Sequence, residues 1–238
     1  METLRRFLAV PLTAVLAFSL LITPAHAAVI WNGDPSGGLR VFGNMNCDSP
    51  GSVTAADDPT HGRVWRYNKP SGSNRCENHG IAVGGKRYEF RNGSTYYLGW
   101  RSKLSSTVNN NATFQWKSYG NHIQNFPVVL KVISGRMSIL QRQPGGVERI
   151  IWSRAITANS WHSYVLGLHL SSATTGGWVE FWFDGQKQTF TNNSQRWACR
   201  TWDSINEPKW GIYGASGTSI ANYVDALKVG TAYTDVAP

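Results

Sequence analysis

Carboxylates are scarce in this chain. Fourteen Asp and Glu stand against 23 Lys and Arg in 238 residues, a formal charge of +9. The candidate acids Glu77, Glu89, Glu148, Glu180 and Glu207 are scattered. Glycoside hydrolysis needs two carboxyl groups flanking the scissile bond, and the Glu-x-Asp-x-x-Glu pattern that supplies them on sandwich folds is missing, which makes hydrolysis a minor reading. Cysteine is rare too, with only Cys47, Cys76 and Cys199. Neither Cys-x-x-Cys nor His-x-x-x-His spacing occurs, which argues against a zinc site. No Gly-x-Ser-x-Gly elbow, Walker loop or His-Glu-x-x-His helix is present, so the sequence lacks these serine-hydrolase, nucleotide and metalloprotease signatures. Beyond residue 27 no apolar run approaches the about 20 residues that a spanning helix needs, and amphipathic stretches of helical length are hard to find.

The one long apolar run stands at the start. Arg5 and Arg6 precede a stretch from Phe7 to about Ile22, and Ala25-His26-Ala27 places small residues at the cleavage positions. Together these read as a secretory signal peptide over residues 1–27. The remainder, residues 28–238, is expected to be a single extracellular domain, monomeric and without a membrane partner. It keeps 21 basic and 13 acidic residues, a surplus that steers a polyanion toward it. Nucleic acid is not the expected polyanion, because the basic residues are scattered singly and no recognised binding module is visible. In an exported chain one cysteine pair can close a disulfide and leave one thiol over. Cys47 with Cys76 is favoured, since the segment between them is rich in Gly, Pro, Ser and Asp and shows no regular pattern; sequence alone does not fix the choice.

From Tyr88 onward strand signals dominate. "RYEFR", "STYYLGWRSKL", "TFQWKSYG", "FPVVLKVISG", "RMSILQRQ", "RIIWSRAI", "HSYVLGLHLS", "GWVEFWFDG", "QKQTFT", "KWGIYG" and "NYVDALKVG" are short, aromatic or β-branched, and separated by Gly, Asn, Pro or Ser clusters. The pattern predicts an all-β protein of two packed antiparallel sheets, a sandwich of jelly-roll type. Asp184-Gly185, between "WVEFWF" and "QKQTF", is the strongest hairpin signal. Eleven tryptophans are divided between two expectations: large core residues, or flat rings that stack on sugars.

Strand parity picks out three polar faces. Arg75, Glu77 and His79 alternate in "NRCENHG"; Thr113, Gln115, Lys117 and Tyr119 oppose Phe114 and Trp116 in "TFQWKSYG"; Lys209, Gly211 and Tyr213 alternate in "PKWGIYG". Each alone fits a solvated strand. Brought together they would form a site with several cations, an amide, an imidazole and a phenol, which suits β-elimination on a uronic acid. There the substrate carboxylate must be neutralised so that the C5 proton becomes acidic. A base then takes that proton, and an acid protonates the departing glycosidic oxygen. Tyrosine can do both in a syn elimination, given cations that favour its phenolate.

"RCENHG", "YYLGWRSKL", "FQWKSYGN", "FPVVLKV", "WVEFWFDG" and "EPKWGIYG", in that order, resemble the polysaccharide lyase superfamily that contains the glucuronan lyases of polysaccharide lyase family 20 and, more distantly, heparin lyase I. The resemblance runs from about Trp31 to Gly230. It implies a concanavalin-like β-jelly roll and endolytic cleavage of an acidic polysaccharide, β-1,4-glucuronan first. It further implies Tyr213 as base and acid, Gln115 and His79 as neutralisers of the uronate carboxylate, and Arg75 and Lys209 as cations of the cleft; Lys117 and Arg101 are also expected to bind substrate. Lys117 stands near where heparin lyase I would carry a catalytic histidine. No cofactor is expected for the chemistry. A structural calcium ion, as relatives often bind, would take Asp225 as a ligand, with Asp34 as another candidate. The alternatives are a lectin-like sandwich that binds without cleaving and a lyase for alginate or another acidic glycan.

Overall fold

Period-two alternation becomes strand almost everywhere the sequence shows it. The computed structural model describes residues 28–120 and 123–238; the signal peptide expected over residues 1–27 lies outside them. The strands are β1 (Val29–Asn32), β2 (Phe42–Cys47), β3 (Ser52–Asp58), β4 (Gly62–Lys69), β5 (Arg75–Val83), β6 (Lys86–Arg87), β7 (Thr95–Leu104), β8 (Asn111–Tyr119) and β9 (Val128–Ile133). They continue as β10 (Arg136–Arg142), β11 (Glu148–Ala155), β12 (Trp161–His169), β13 (Gly177–Phe183), β14 (Gln186–Lys187), β15 (Trp197–Cys199), β16 (Ile205–Gly214) and β17 (Ile220–Gly230). A single helical turn, α1 (Tyr233–Val236), follows.

Two antiparallel sheets result. One runs β14-β13-β12-β7-β17-β4-β3, with β1 on β17 and β15 on β13; the other runs β11-β10-β9-β8-β16-β5-β2, with β6 on β5. Their inner faces meet in one aromatic core. Trp100 of the first sheet stacks on Phe114 of the second at 5.0 Å and on Tyr164 of its own sheet at 5.3 Å. Burying a side chain such as Phe114 stabilises the fold by about 1.5–3 kcal/mol. Trp31, Trp65, Trp100, Trp116, Trp152 and Trp210 all belong to this core, so packing claims most of the tryptophans. The Asp184-Gly185 turn is as predicted: both residues have positive φ, 49° and 75°, and Phe183 pairs with Gln186 across it.

The N-terminal third departs from the expectation. The patternless stretch between Cys47 and Cys76 contains the β3–β4 hairpin, in register from Ser52↔Asn68 to Asp58↔Gly62. Its inward residues are few, with Val53, Trp65 and Tyr67 in the core, so charged neighbours hid the alternation. "RYEFR" and "QKQTFT", in contrast, are strand only at their starts: Arg87 ends the two-residue β6, and Gln186–Lys187 is β14. Cys47 and Cys76 are cross-strand neighbours on β2 and β5 and form the disulfide. Cys199 is a buried thiol whose pKa burial pushes up to about 12.

Candidate active site

The three central strands β8, β16 and β5 lie side by side in the second sheet. Their inward residues Phe114, Trp116, Trp210, Ile212 and Cys76 all enter the core. The opposite parity therefore faces away from it, and it carries all three polar sets. Tyr213 is directly opposite Arg75 on one side and Ala112 on the other. Lys209 is opposite Gln115, and Glu207 opposite Lys117.

The ladder is irregular where Tyr213 is set. Register shifts between Trp210 and Tyr213 on β16, and between Ala112 and Phe114 on β8. Such bulges re-aim a side chain and leave backbone groups unpaired. Here side-chain amides satisfy those groups: Trp210 N donates to Asn78 Oδ1 at 2.9 Å, and Asn222 Nδ2 donates to Gly211 O at 2.9 Å. Gly211, at φ 138°, could not carry a side chain, since a Cβ would stand 2.2 Å from Cys76 O. The second bulge corrects one sequence assignment. Thr113 turns inward onto Met137 of the core instead of sharing the face of Gln115.

A buried carboxylate organises the middle of the face. Glu77 Oε1 accepts from Gln115 Nε2 at 2.5 Å, and its Oε2 accepts from Lys209 Nζ at 2.6 Å. All three residues are buried, so the amide and the ammonium are locked in place before any substrate arrives. At one end the guanidinium of Arg75 lies 4.8 Å over the Tyr213 ring. Tyr213 is half-buried and packs on this outer face against Ala112, Val129 and Leu140, apart from the main core. Lys117 is turned toward the carbonyls of Ser118 and Asn125, at 3.2 and 3.1 Å. Burial, then the neighbouring charges of Lys209 and Arg75, hold its ammonium below the ordinary lysine pKa.

The other end is a second cluster. His79 Nε2 stands 2.6 Å from both Glu207 Oε2 and Arg87 Nη2, and Arg87 holds both oxygens of Glu207. Burial raises the Glu207 carboxyl, but the hydrogen bonds from His79 and Arg87 outweigh it, and the pKa settles below the usual value. Tyr119 stacks on His79 at 4.4 Å. Burial, reinforced by Glu207 and Glu77, pushes the Tyr119 phenol far above its ordinary pKa, so it is unsuited to act as a base. A cavity of about 490 Å³ opens here, lined by His79, Arg87, Tyr88, Tyr119, Trp202 and Glu207 among others. Tyr213 does not line it. At about 3.3 Å per residue, Tyr213 stands roughly 10 Å along the strands from the level of Gln115 and roughly 13 Å from that of His79. Gly211 and Glu77 occupy the interval.

Sequence reasoning thus placed Tyr213, Gln115, His79, Arg75, Lys117 and Lys209 on what proves to be one face. It missed Arg87 and did not foresee that Glu207 would anchor His79. Both could be found only by long-range pairing, since 120 residues separate them. One expectation is corrected. Arg101 lies on β7 in the opposite sheet, where its Nη1 meets Asp225 Oδ2 at 3.1 Å, so it cannot bind substrate on this face. That pairing commits the charge of Asp225, and Asp34 is engaged in capping Ser36 N at 2.8 Å. Among the described residues no group of three or more His, Cys, Asp or Glu could hold a metal.

The polysaccharide lyase family model matches residues 31–228. Among solved structures, the endo-β-1,4-glucuronan lyase of the fungus Trichoderma reesei superposes with a TM-score of 0.67 at 18% identity, covering 89% of this chain and 99% of that one. A carbohydrate esterase from the Shiga toxin-encoding bacteriophage phi24B gives 0.59 at 12% identity, covering 87% and 99%. The alginate lyase of Aplysia kurodai gives 0.55 at 11% identity, covering 87% and 100%. At these identities the likeness is one of fold. No curated protein sequence matches.

Proposed function

Because the chain belongs to the polysaccharide lyase family, we propose that its outer sheet face cleaves a polyuronate, glucuronan first, by β-elimination. The observation that carries the reading is that Tyr213, under Arg75, shares one outer sheet face with the Glu77-anchored pair Gln115 and Lys209. In the proposed reaction the Tyr213 phenolate removes the C5 proton. The C5 electrons form the C4–C5 double bond as the C4–O bond breaks, and the phenol returns its proton to the leaving oxygen. No cofactor enters these steps.

Gln115 supplies the donor for the uronate carboxylate. Its amide nitrogen has two protons, and Glu77 takes one of them. Lys209 cancels the charge of Glu77, so that the acid orienting the amide does not repel the substrate. His79 stands across β16 from Gln115. Its Nε2 is held between Glu207 and Arg87, and the ring binds the same carboxylate or the next sugar toward the cavity. The basic balance of the chain draws in the polyanion. The leader over residues 1–27 supports secretion, which would bring the enzyme to an extracellular polymer.

Incubation with glucuronan, alginate, hyaluronan and heparin, followed by ultraviolet absorbance of unsaturated uronate ends, tests the proposal. Absorbance should rise with glucuronan. A rise with alginate alone would move the substrate, and binding without any rise would end the proposal.

A further inference from the structure

Lys69 is the last residue of β4 and is wholly buried, yet no acid among the described residues pairs with it. Its ammonium instead faces four backbone carbonyls: Thr218 O at 2.7 Å, Ser73 O and Ala215 O at 3.1 Å, and Pro70 O at 3.4 Å. These are the first and last carbonyls of two turns. Ser73 N closes one turn onto Pro70 O, and Thr218 N closes the other onto Ala215 O. Cross-links join the two turns: Gly72 N donates to Ser216 O at 2.8 Å, Ser71 Oγ to Gly217 O at 3.1 Å, and Gly214 N to Asn74 O at 2.9 Å. Ala215 is held at φ 45°, a left-handed conformation that a non-glycine residue seldom adopts.

The position of these turns gives the arrangement its consequence. One turn ends two residues before Arg75, and the other begins two residues after Tyr213. Those two side chains are the ladder partners whose cation and ring lie 4.8 Å apart. We propose that Lys69 is a positioning residue for the reaction: its ammonium, seated in a cage of four carbonyls, clasps the two turns and so fixes Arg75 against Tyr213. This rests on the role proposed above for Tyr213. The cage is the kind of oxygen shell that a small cation occupies, supplied here by the chain's own ammonium. Burial pushes the lysine pKa below its ordinary value, and the carbonyl dipoles are what keep a proton there worthwhile.

The test is Lys69→Ala, assayed on the cleaved polyuronate with added ammonium or methylammonium chloride and, at equal ionic strength, with tetramethylammonium chloride. Misplacing a reacting group by about 1 Å can cost on the order of 10²-fold, so kcat should fall about 10- to 100-fold with KM little changed. The small ammonium ions should restore part of the loss, and tetramethylammonium, too large for the cage, should not. Amide exchange at Gly72 and Gly214 should speed up in the variant and slow again with ammonium. An unchanged kcat, a loss that only follows the folded fraction, or undisturbed amides without rescue each overturn the proposal. If Lys69→Ala does not fold, Lys69→Gln, which keeps two N–H donors but no charge and still occupies the cage, carries the kcat and amide-exchange comparisons without the rescue. If the unaltered protein cleaves no polyuronate, the functional reading fails by itself, while amide exchange still decides whether the clasp exists.

Discussion

Lys209 Nζ and Glu77 Oε2 meet at 2.6 Å with both side chains only 2% exposed, beneath the face that carries Tyr213. Removing one member of a buried pair leaves the other uncompensated, at a cost of about 3–5 kcal/mol, whereas replacing both with apolar groups is often near neutral. Glu77→Ala should therefore lower stability by about that amount in urea unfolding. Glu77→Leu combined with Lys209→Met should recover most of it. Activity should not return in the double variant, because Gln115 has still lost its anchor. A double variant as active as the parent would remove Glu77 from the site.

Tyr213→Phe deletes the proposed proton carrier and little else. The ring keeps its packing against Ala112, Val129 and Leu140 and its place under Arg75. Elimination should fall below detection by product absorbance, while calorimetric binding of a short glucuronan fragment stays within about threefold, since only a hydroxyl is lost. Parallel loss of binding and turnover would mean that the phenol holds substrate and does not move its proton.

The sheet face was legible because parity is local. Gln115 and Lys117, Arg75 and His79, Lys209 and Tyr213 each sit a whole number of strand repeats apart, and the core aromatics between them declare which way they point. Thr113 was misread because a bulge is an insertion relative to a neighbouring strand, and one strand's sequence does not record its neighbour's register. β5 was missing from the readable strands for another reason, although its outer parity was read. Asn78 occupies an inward position of β5 and spends its amide on Tyr67 Oη, Trp210 N and Gly80 O, so a polar residue stands where alternation calls for an apolar one. Arg101 shows the remaining gap: periodicity says that a cation faces outward, but not on which sheet.

Glu207 ties stability to pH, and the sign follows from its lowered pKa. The unfolded carboxyl titrates near its ordinary value of about 4.3, and the folded one lower, held there by His79 and Arg87. The stabilisation is complete above the unfolded value and drains away as pH falls through the folded one. Glu207→Gln should thus be less stable than the parent at pH 6, with the difference shrinking toward pH 3, in denaturant titrations over that range (about 1.4 kcal/mol per pKa unit). A difference that stays constant would show that the anchor works through shape and not charge.

Neutralising a carboxylate matters only when there is a charge to neutralise, and this separates the role of Gln115 from general substrate binding. Loss of a donor aimed at developing negative charge costs about 10²–10³-fold in kcat, so Gln115→Ala should lose about that much on glucuronan. A methyl-esterified glucuronan has no carboxylate charge, and its C5 proton is already more acidic. If Gln115 acts on the uronate carboxylate before and during proton removal, the same variant should be impaired by a smaller factor on the ester than on the acid. Initial rates of absorbance increase on both polymers, for parent and variant, give the comparison. Equal impairment on the two would show that Gln115 stabilises charge common to both transition states, or merely holds the chain, and the electrostatic account of its role would have to be given up.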